Sequence, residues 1–329
     1  MNDTFRFLGN FLYNRWRNVI DFFHLLYQAA IEFSNDNALK FSASLSYYTL
    51  FSLAPMLIIV IAISSIWFGK EAAEGYLYQQ FEGLLGTTGA MQLQEMISNA
   101  HVSGNTPLAT IIGILTLVFG ATGVFLEIQD SINAIWSLRA KPKRGWLKFI
   151  QNRLLSFSLI VGIGFLLLVS LVISAMLSVV YEFVNQRFGD VAWLSWLISN
   201  LINVGVVVLL FAIIFKVLPD AILKWSDVGV GALFTTLLFL LGKWLINYYL
   251  SRSSTMSVYG AAGAVVLIVL WVYYSSAILY FGAEFTKVYA NKYGSKIRPN
   301  RYSVFVEKKE IQTQDPIVSL SEENRIDEK

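Results

Sequence analysis

The sequence predicts an all-α integral membrane protein of six transmembrane helices, with the N- and C-termini both cytoplasmic. Three observations carry that prediction. The chain of 329 residues is 56% hydrophobic and only 14% charged, against about 25% charged in a soluble domain, and its mean hydropathy is +0.56. Apolar runs long enough to cross about 30 Å of hydrocarbon recur along it. Its lysines and arginines are one-sided: all but Lys70, Arg187, Arg252 and the span-internal Lys243 fall in segments that six crossings place on the side of the N-terminus. Such a bias marks the cytoplasmic face.

Residues 1–42 mix polar and aromatic side chains. They read as amphipathic helices, lying either at the membrane surface or on the protein's own cytoplasmic face. No uninterrupted apolar core with a small-residue cleavage site precedes the spans, so the first span is expected to serve as the insertion signal. The transmembrane domain, 43–285, has spans near 43–68, 107–126, 154–181, 193–218, 227–249 and 261–285. At its start Ser42, Ser46 and Thr49 share one helical face. Pro55, mid-span, frees a backbone carbonyl and makes either a static kink or a hinge. Residues 69–106 carry Glu71, Glu74, Glu82 and Glu95 and read as two short amphipathic helices capping the outer face. The loop 127–153 is basic. Residues 286–329 read as a polar cytoplasmic tail, disordered toward its aromatic-poor end.

Several chemistries are absent. A net charge of +3 is too small to mark a nucleic-acid partner. With no cysteine there are no disulfides, thiolate ligands or cysteine nucleophiles. The two histidines, His24 and His101, lie far apart, and no HExxH, Walker A or GxSxG motif occurs. No catalytic residue, metal ligand or cofactor is expected, and the chain is not expected to be an enzyme.

Helical spacing singles out three sets of residues. In the second span Gly113, Thr116, Gly120, Gly123, Glu127 and Asp130 follow steps of three and four and share a face. That seam serves either close helix packing or a polar path with Glu127 and Asp130 at its cytoplasmic mouth. In the sixth span Tyr273, Ala277, Tyr280 and Glu284 share a face, which reads either as an interfacial tyrosine belt ending in an acid or as a continuation of that polar cluster. The cluster is then Glu127, Asp130, Glu284 and Tyr280, with the tyrosine face meeting the small-residue seam. Gly260 and Gly263 form the turn that starts this span. In the outer leaflet Lys243 either snorkels to the interface or faces Asn200, Asn203 and Asn247 in a cationic polar pocket suited to an anionic headgroup.

Three stretches resemble the YihY/BrkB family of bacterial inner-membrane proteins: FSASLSYYTLFSLAPMLIIVIAI in the first span, GATGVFLEIQDSINAIWSL after the second, and SVYGAAGAVVLIVLWVYYSSAILYFGAEFTKVY in the last. The resemblance covers roughly residues 25–295. It implies a polytopic protein of the bacterial cytoplasmic membrane. One branch of the family carries a virulence-factor label and another a ribonuclease BN label, and some members are associated with transport of lipid or envelope precursors. It supplies no catalytic residues. The expected function is therefore a transporter or translocator of an anionic lipid or envelope precursor, with the lipid bilayer as its surroundings. The alternatives are an envelope scaffold that anchors a partner through the basic loop and, last, a membrane-bound ribonuclease.

Overall fold

The computed structural model describes residues 20–99, 107–141, 150, 153–162, 192–252 and 263–307. Most of the predicted third span, Gly260, and the end of the tail lie outside them. Eight helices are described: α1 (residues 20–35), α2 (Ala38–Phe68), α3 (Lys70–Asn99), α4 (Pro107–Ile135), α5 (Arg153–Gly162), α6 (Ala192–Val217), α7 (Trp225–Arg252) and α8 (Gly263–Lys292). Four stretches within them are long and apolar enough to cross a membrane: Ala38–Ala62, Asn200–Val217, Trp225–Ile246 and Val265–Lys292.

Helices α2 and α8 form the centre. α4 packs on α2, α7 on α8, and α6 on α7, while α3 lies across α2 and α8. Turns between helices are abrupt. Asn37 takes a left-handed backbone (φ 56°) between α1 and α2, and Gly69 (φ 79°) alone separates α2 from α3. The left-handed region suits glycine and, less well, asparagine. The polar face of α2 is satisfied internally: Ser42, Ser46 and Thr49 donate to the carbonyls of Ala38, Ser42 and Leu45 at 2.9, 2.9 and 2.7 Å. Hydroxyls bonded back along their own helix are at ease among apolar neighbours.

Two features differ from the sequence reading. Within the 69–106 segment, Lys70–Asn99 form one long helix, α3, rather than two short ones. Each of its glycines costs roughly 1 kcal/mol of helix propensity, but Ala73 and Leu77 are buried in the tertiary structure and Lys70 pairs with Glu74 at 3.6 Å one turn on, so packing outweighs propensity. The second concerns residues after 285. Helix α8 runs on to Lys292, and the chain beyond it is ordered into β3 (Arg298–Pro299) and β4 (Ser303–Phe305).

These strands pair antiparallel with two short strands from elsewhere. β1 (Leu138–Ala140), after α4, pairs with β4, Leu138 opposite Phe305. β2 (Ala221–Ile222), between α6 and α7, pairs with β3, Ala221 opposite Pro299. The C-terminal ends of α4, α6 and α8 and the start of α7 are thus clasped at one end of the bundle. The large buried side chains Trp136, Phe215, Leu218 and Tyr280 sit in the larger of two core clusters among the described residues, and Trp136 donates its indole N–H to the Ala283 carbonyl at 3.1 Å.

Candidate functional site

The small-residue seam of α4 brings α2 close. A Cβ on Gly120 would sit 3.1 Å from Pro55 Cγ, and one on Gly123 would sit 3.1 Å from Ser52 Oγ. The seam therefore meets the proline-bearing face of α2, not the tyrosine face of α8 as the spacing suggested. Helical periodicity assigns a face but not its partner. Gly113 lies within α4; its surroundings are outside the described residues.

Where α2 and α4 part, a groove of about 510 Å³ opens. Tyr47, Tyr48 and Phe51 of α2 and Phe119 of α4 line it, all exposed. Glu127 and Asp130 of α4 and Arg153 of α5 also line it. Arg153 donates to Thr122 Oγ1 at 2.5 Å and its guanidinium stands 4.2 Å from the centre of the Phe119 ring. Both interactions fix the cation beside the aromatic wall. Asp130 lies beyond the apolar part of α4, and its carboxyl is raised above the ordinary range by partial desolvation, then by the carboxylates of Glu127 and Asp220. The groove thus has an aromatic, apolar wall, with both signs of charge on its rim.

Glu284 does not join this groove. Its side chain is fully buried, and its neighbours come from α1 and the turn after it. Lys287 Nζ donates to Glu32 Oε2 at 2.9 Å, to Asp36 Oδ2 at 3.1 Å and to Glu284 Oε2 at 3.3 Å. Carboxylate oxygens of Glu32, Asp36 and Glu284 lie within 4.8 Å of one another. Tyr280, equally buried, stacks edge-on to Phe41 with ring centres 6.3 Å apart and approaches Ser131 of α4. It touches the end of the α4 face but stays out of the groove. The four-residue cytoplasmic cluster therefore resolves into two places: Glu127 and Asp130 at the groove, Tyr280 and Glu284 inside the bundle.

The outer-leaflet set lies on α6 and α7. Asn200 and Asn203 of α6 are exposed and Lys243 of α7 is half-buried; the side chain of Asn247 is outside the described residues. Gly263 is the first residue of α8.

Two constellations escaped the sequence reading. Asp220, buried at the head of β2, accepts from Asn300 Nδ2 at 3.0 Å and from Asn133 Nδ2 at 3.4 Å, while its own N–H donates to Asn133 Oδ1 at 2.8 Å. Ser303 Oγ donates to its carbonyl at 2.6 Å. Nearby, Asp227 Oδ2 accepts from the backbone N–H and the hydroxyl of Ser295 at 2.8 and 2.7 Å. The turn-forming Leu218-Pro219-Asp220 and Tyr293-Gly294-Ser295 were the available signals, but neither says that one caps the other.

A family model for virulence factor BrkB matches residues 29–304, ending inside the last strand of the clasp. Among curated relatives, a UPF0761 membrane protein of Tolumonas auensis is 31% identical over 251 residues, covering 74% of this chain and 77% of that protein. Counterparts from Alcanivorax borkumensis and Azotobacter vinelandii are each 26% identical, covering 83% and 82% of this chain but 61% and 63% of their own lengths. This chain thus spans under two thirds of those two relatives. No solved structure matches it.

Proposed function

The chain belongs to the virulence factor BrkB family of membrane proteins, and from that premise we propose that it is a translocator of an anionic lipid or lipid-linked envelope precursor in the bacterial cytoplasmic membrane. The observation that carries the proposal is the groove between α2, α4 and α5. An amphipathic substrate needs an apolar wall for its chain and charges for its headgroup, and Tyr47, Tyr48, Phe51 and Phe119 stand beside Arg153, Glu127 and Asp130. The role proposed for the groove is that of a path for the substrate rather than of a catalytic site.

The topology proposed with it has six spans, with both termini cytoplasmic. The four apolar stretches count four. Helix α4, of 29 residues, and the segment that begins with α5 supply the other two. The basic segments after α4, α6 and α8 meet at the clasp, as the positive-inside rule asks of segments on one side.

The test is transfer of a fluorescent anionic lipid between leaflets of liposomes holding the purified protein. Replacing Arg153 by Ala, or Glu127 and Asp130 together by Ala, is expected to slow transfer about tenfold or more, the effect of losing an interaction to a charged group worth about 1.5–3 kcal/mol. Unchanged transfer in both variants would sink the translocator reading. Loss of cellular function on charge reversal at Lys141, Lys143 and Arg144, with transfer intact, would favour a scaffold anchored through the basic loop.

A further inference from the structure

The cluster around Glu284 has more negative charge than its ammonium can neutralise. Three carboxylates face Lys287: Glu32 from α1, Asp36 from the turn before α2, and Glu284 one turn back on α8. The neighbouring helices bring no further charge to this turn on the contacts described: α2 presents Phe41 to Tyr280, and α4 presents Trp136 to the Ala283 carbonyl. Glu284 is wholly buried, and its Oε1 has no hydrogen-bond donor. Yet carboxylate oxygens of Asp36 and Glu284 lie within 4.8 Å of each other. An ionised carboxylate only accepts. Two of them this close, one without access to water and both sharing a single ammonium with a third, call for positive charge beyond that of Lys287.

The identity of that charge follows from the geometry. The Lys287 ammonium, 2.9–3.3 Å from all three acids, already occupies the centre where a metal ion would sit. A proton fits without displacing it. A route from outside exists as well: a groove of about 770 Å³ is lined by Gln28, Ile31, Glu32 and Lys287 among others, so water can reach Glu32 and the ammonium while Glu284 stays enclosed. We propose that Asp36 and Glu284 form an acid pair that binds one exchangeable proton between α8 and the α1–α2 turn, delivered through this groove past Glu32 and Lys287. The site joins α8 to the α1–α2 corner, so loss or gain of the proton changes the attraction between them. It stands whether or not the other groove carries lipid.

Infrared spectroscopy of the full chain in lipid nanodiscs reads the proton directly, with no substrate present. At neutral pH ordinary carboxylates are ionised, so the expected result is a carbonyl stretch of a protonated carboxylic acid that shifts on exchange into D₂O. It is expected to vanish in Asp36→Asn and in Glu284→Gln, and to persist at an altered frequency in Glu284→Asp, which keeps the acid and so separates loss of the group from loss of the fold. No such band in the unmutated protein, or a band that survives both neutral substitutions, would overturn the proposal. So would Mn²⁺ retained on dialysis by the unmutated protein and released from Asp36→Asn, since a metal would then hold the site.

Discussion

Asp220 carries a burden out of proportion to its size. Its carboxylate is enclosed at 3% exposure and gathers donors from α4 and from the chain after α8, in a place where an unanswered polar atom is costly. Replacing it with Ala leaves the amides of Asn133 and Asn300 without their acceptor. The expected loss is about 1–3 kcal/mol for a buried donor so abandoned, seen as a lower unfolding temperature of the purified protein in detergent. Arg139→Ala, on the exposed side of β1, is expected to stay within about 0.5 kcal/mol. An unfolding temperature for Asp220→Ala equal to that of Arg139→Ala would mean that Asp220 does not hold the clasp. Glu284 illustrates what a sequence can say about such residues. Its place at the end of an apolar helix marked it as unusual. Its partners did not show, because the Lys287 beside it reaches Glu32, 255 positions from that lysine, and no local spacing reports a contact of that range.

At the scale of elements, glycine decides which helices touch. Along the α7–α8 contact two matched motifs face each other, Gly231 with Thr235 and Gly282 with Thr286. Each threonine donates to the carbonyl of its own glycine at 2.7 Å and lies against the glycine of the other helix, so close that a Cβ there would overlap it. The contact at Gly120 is looser, since its Cβ would meet Pro55 at 3.1 Å. Gly231→Ala and Gly282→Ala are therefore expected to destabilise more than Gly120→Ala, by about 1–3 kcal/mol for overpacking a close contact. Thr286→Ala introduced with Gly231→Ala is expected to recover part of the loss, as a double-mutant cycle on thermal stability would record. Equal effects at all three glycines would show that α7 and α8 are not in close contact. The seam of α4 was legible because its small residues repeat every third or fourth position. The α7–α8 seam was not, because Gly231 with Thr235 and Gly282 with Thr286 are each a single four-residue step, and they matter only as a pair. The α3 helix was read as two short ones, and local spacing could not show that residues Lys70–Asn99 run as one, because burial of Ala73 and Leu77 against other helices decides it.

For the whole molecule, the clasp joins helix ends that the proposed topology puts on one side of the membrane. The apolar runs and the one-sided distribution of lysine and arginine were enough to read an all-helical membrane protein, and the helices bear that out. What joins them at one end was hidden, because strands of two or three residues leave no periodicity to detect. The clasp makes the proposed topology testable as a single statement: residues of β1 and of the chain at β4 must lie on the same side, and on the cytoplasmic side. A chain without cysteine suits the experiment, since each introduced thiol is the only one. Arg139→Cys and Tyr302→Cys place thiols at exposed positions of the clasp, and Trp193→Cys at an exposed position near the start of α6. With a membrane-impermeant maleimide, the first two are expected to react only after spheroplasts are lysed, and the third to react in intact ones. The reverse pattern would turn the protein over in the membrane. Different behaviour of Arg139→Cys and Tyr302→Cys would do more damage, since the two positions flank one antiparallel pair: it would separate β1 from β4 and remove the contact that holds α4 to the chain after α8.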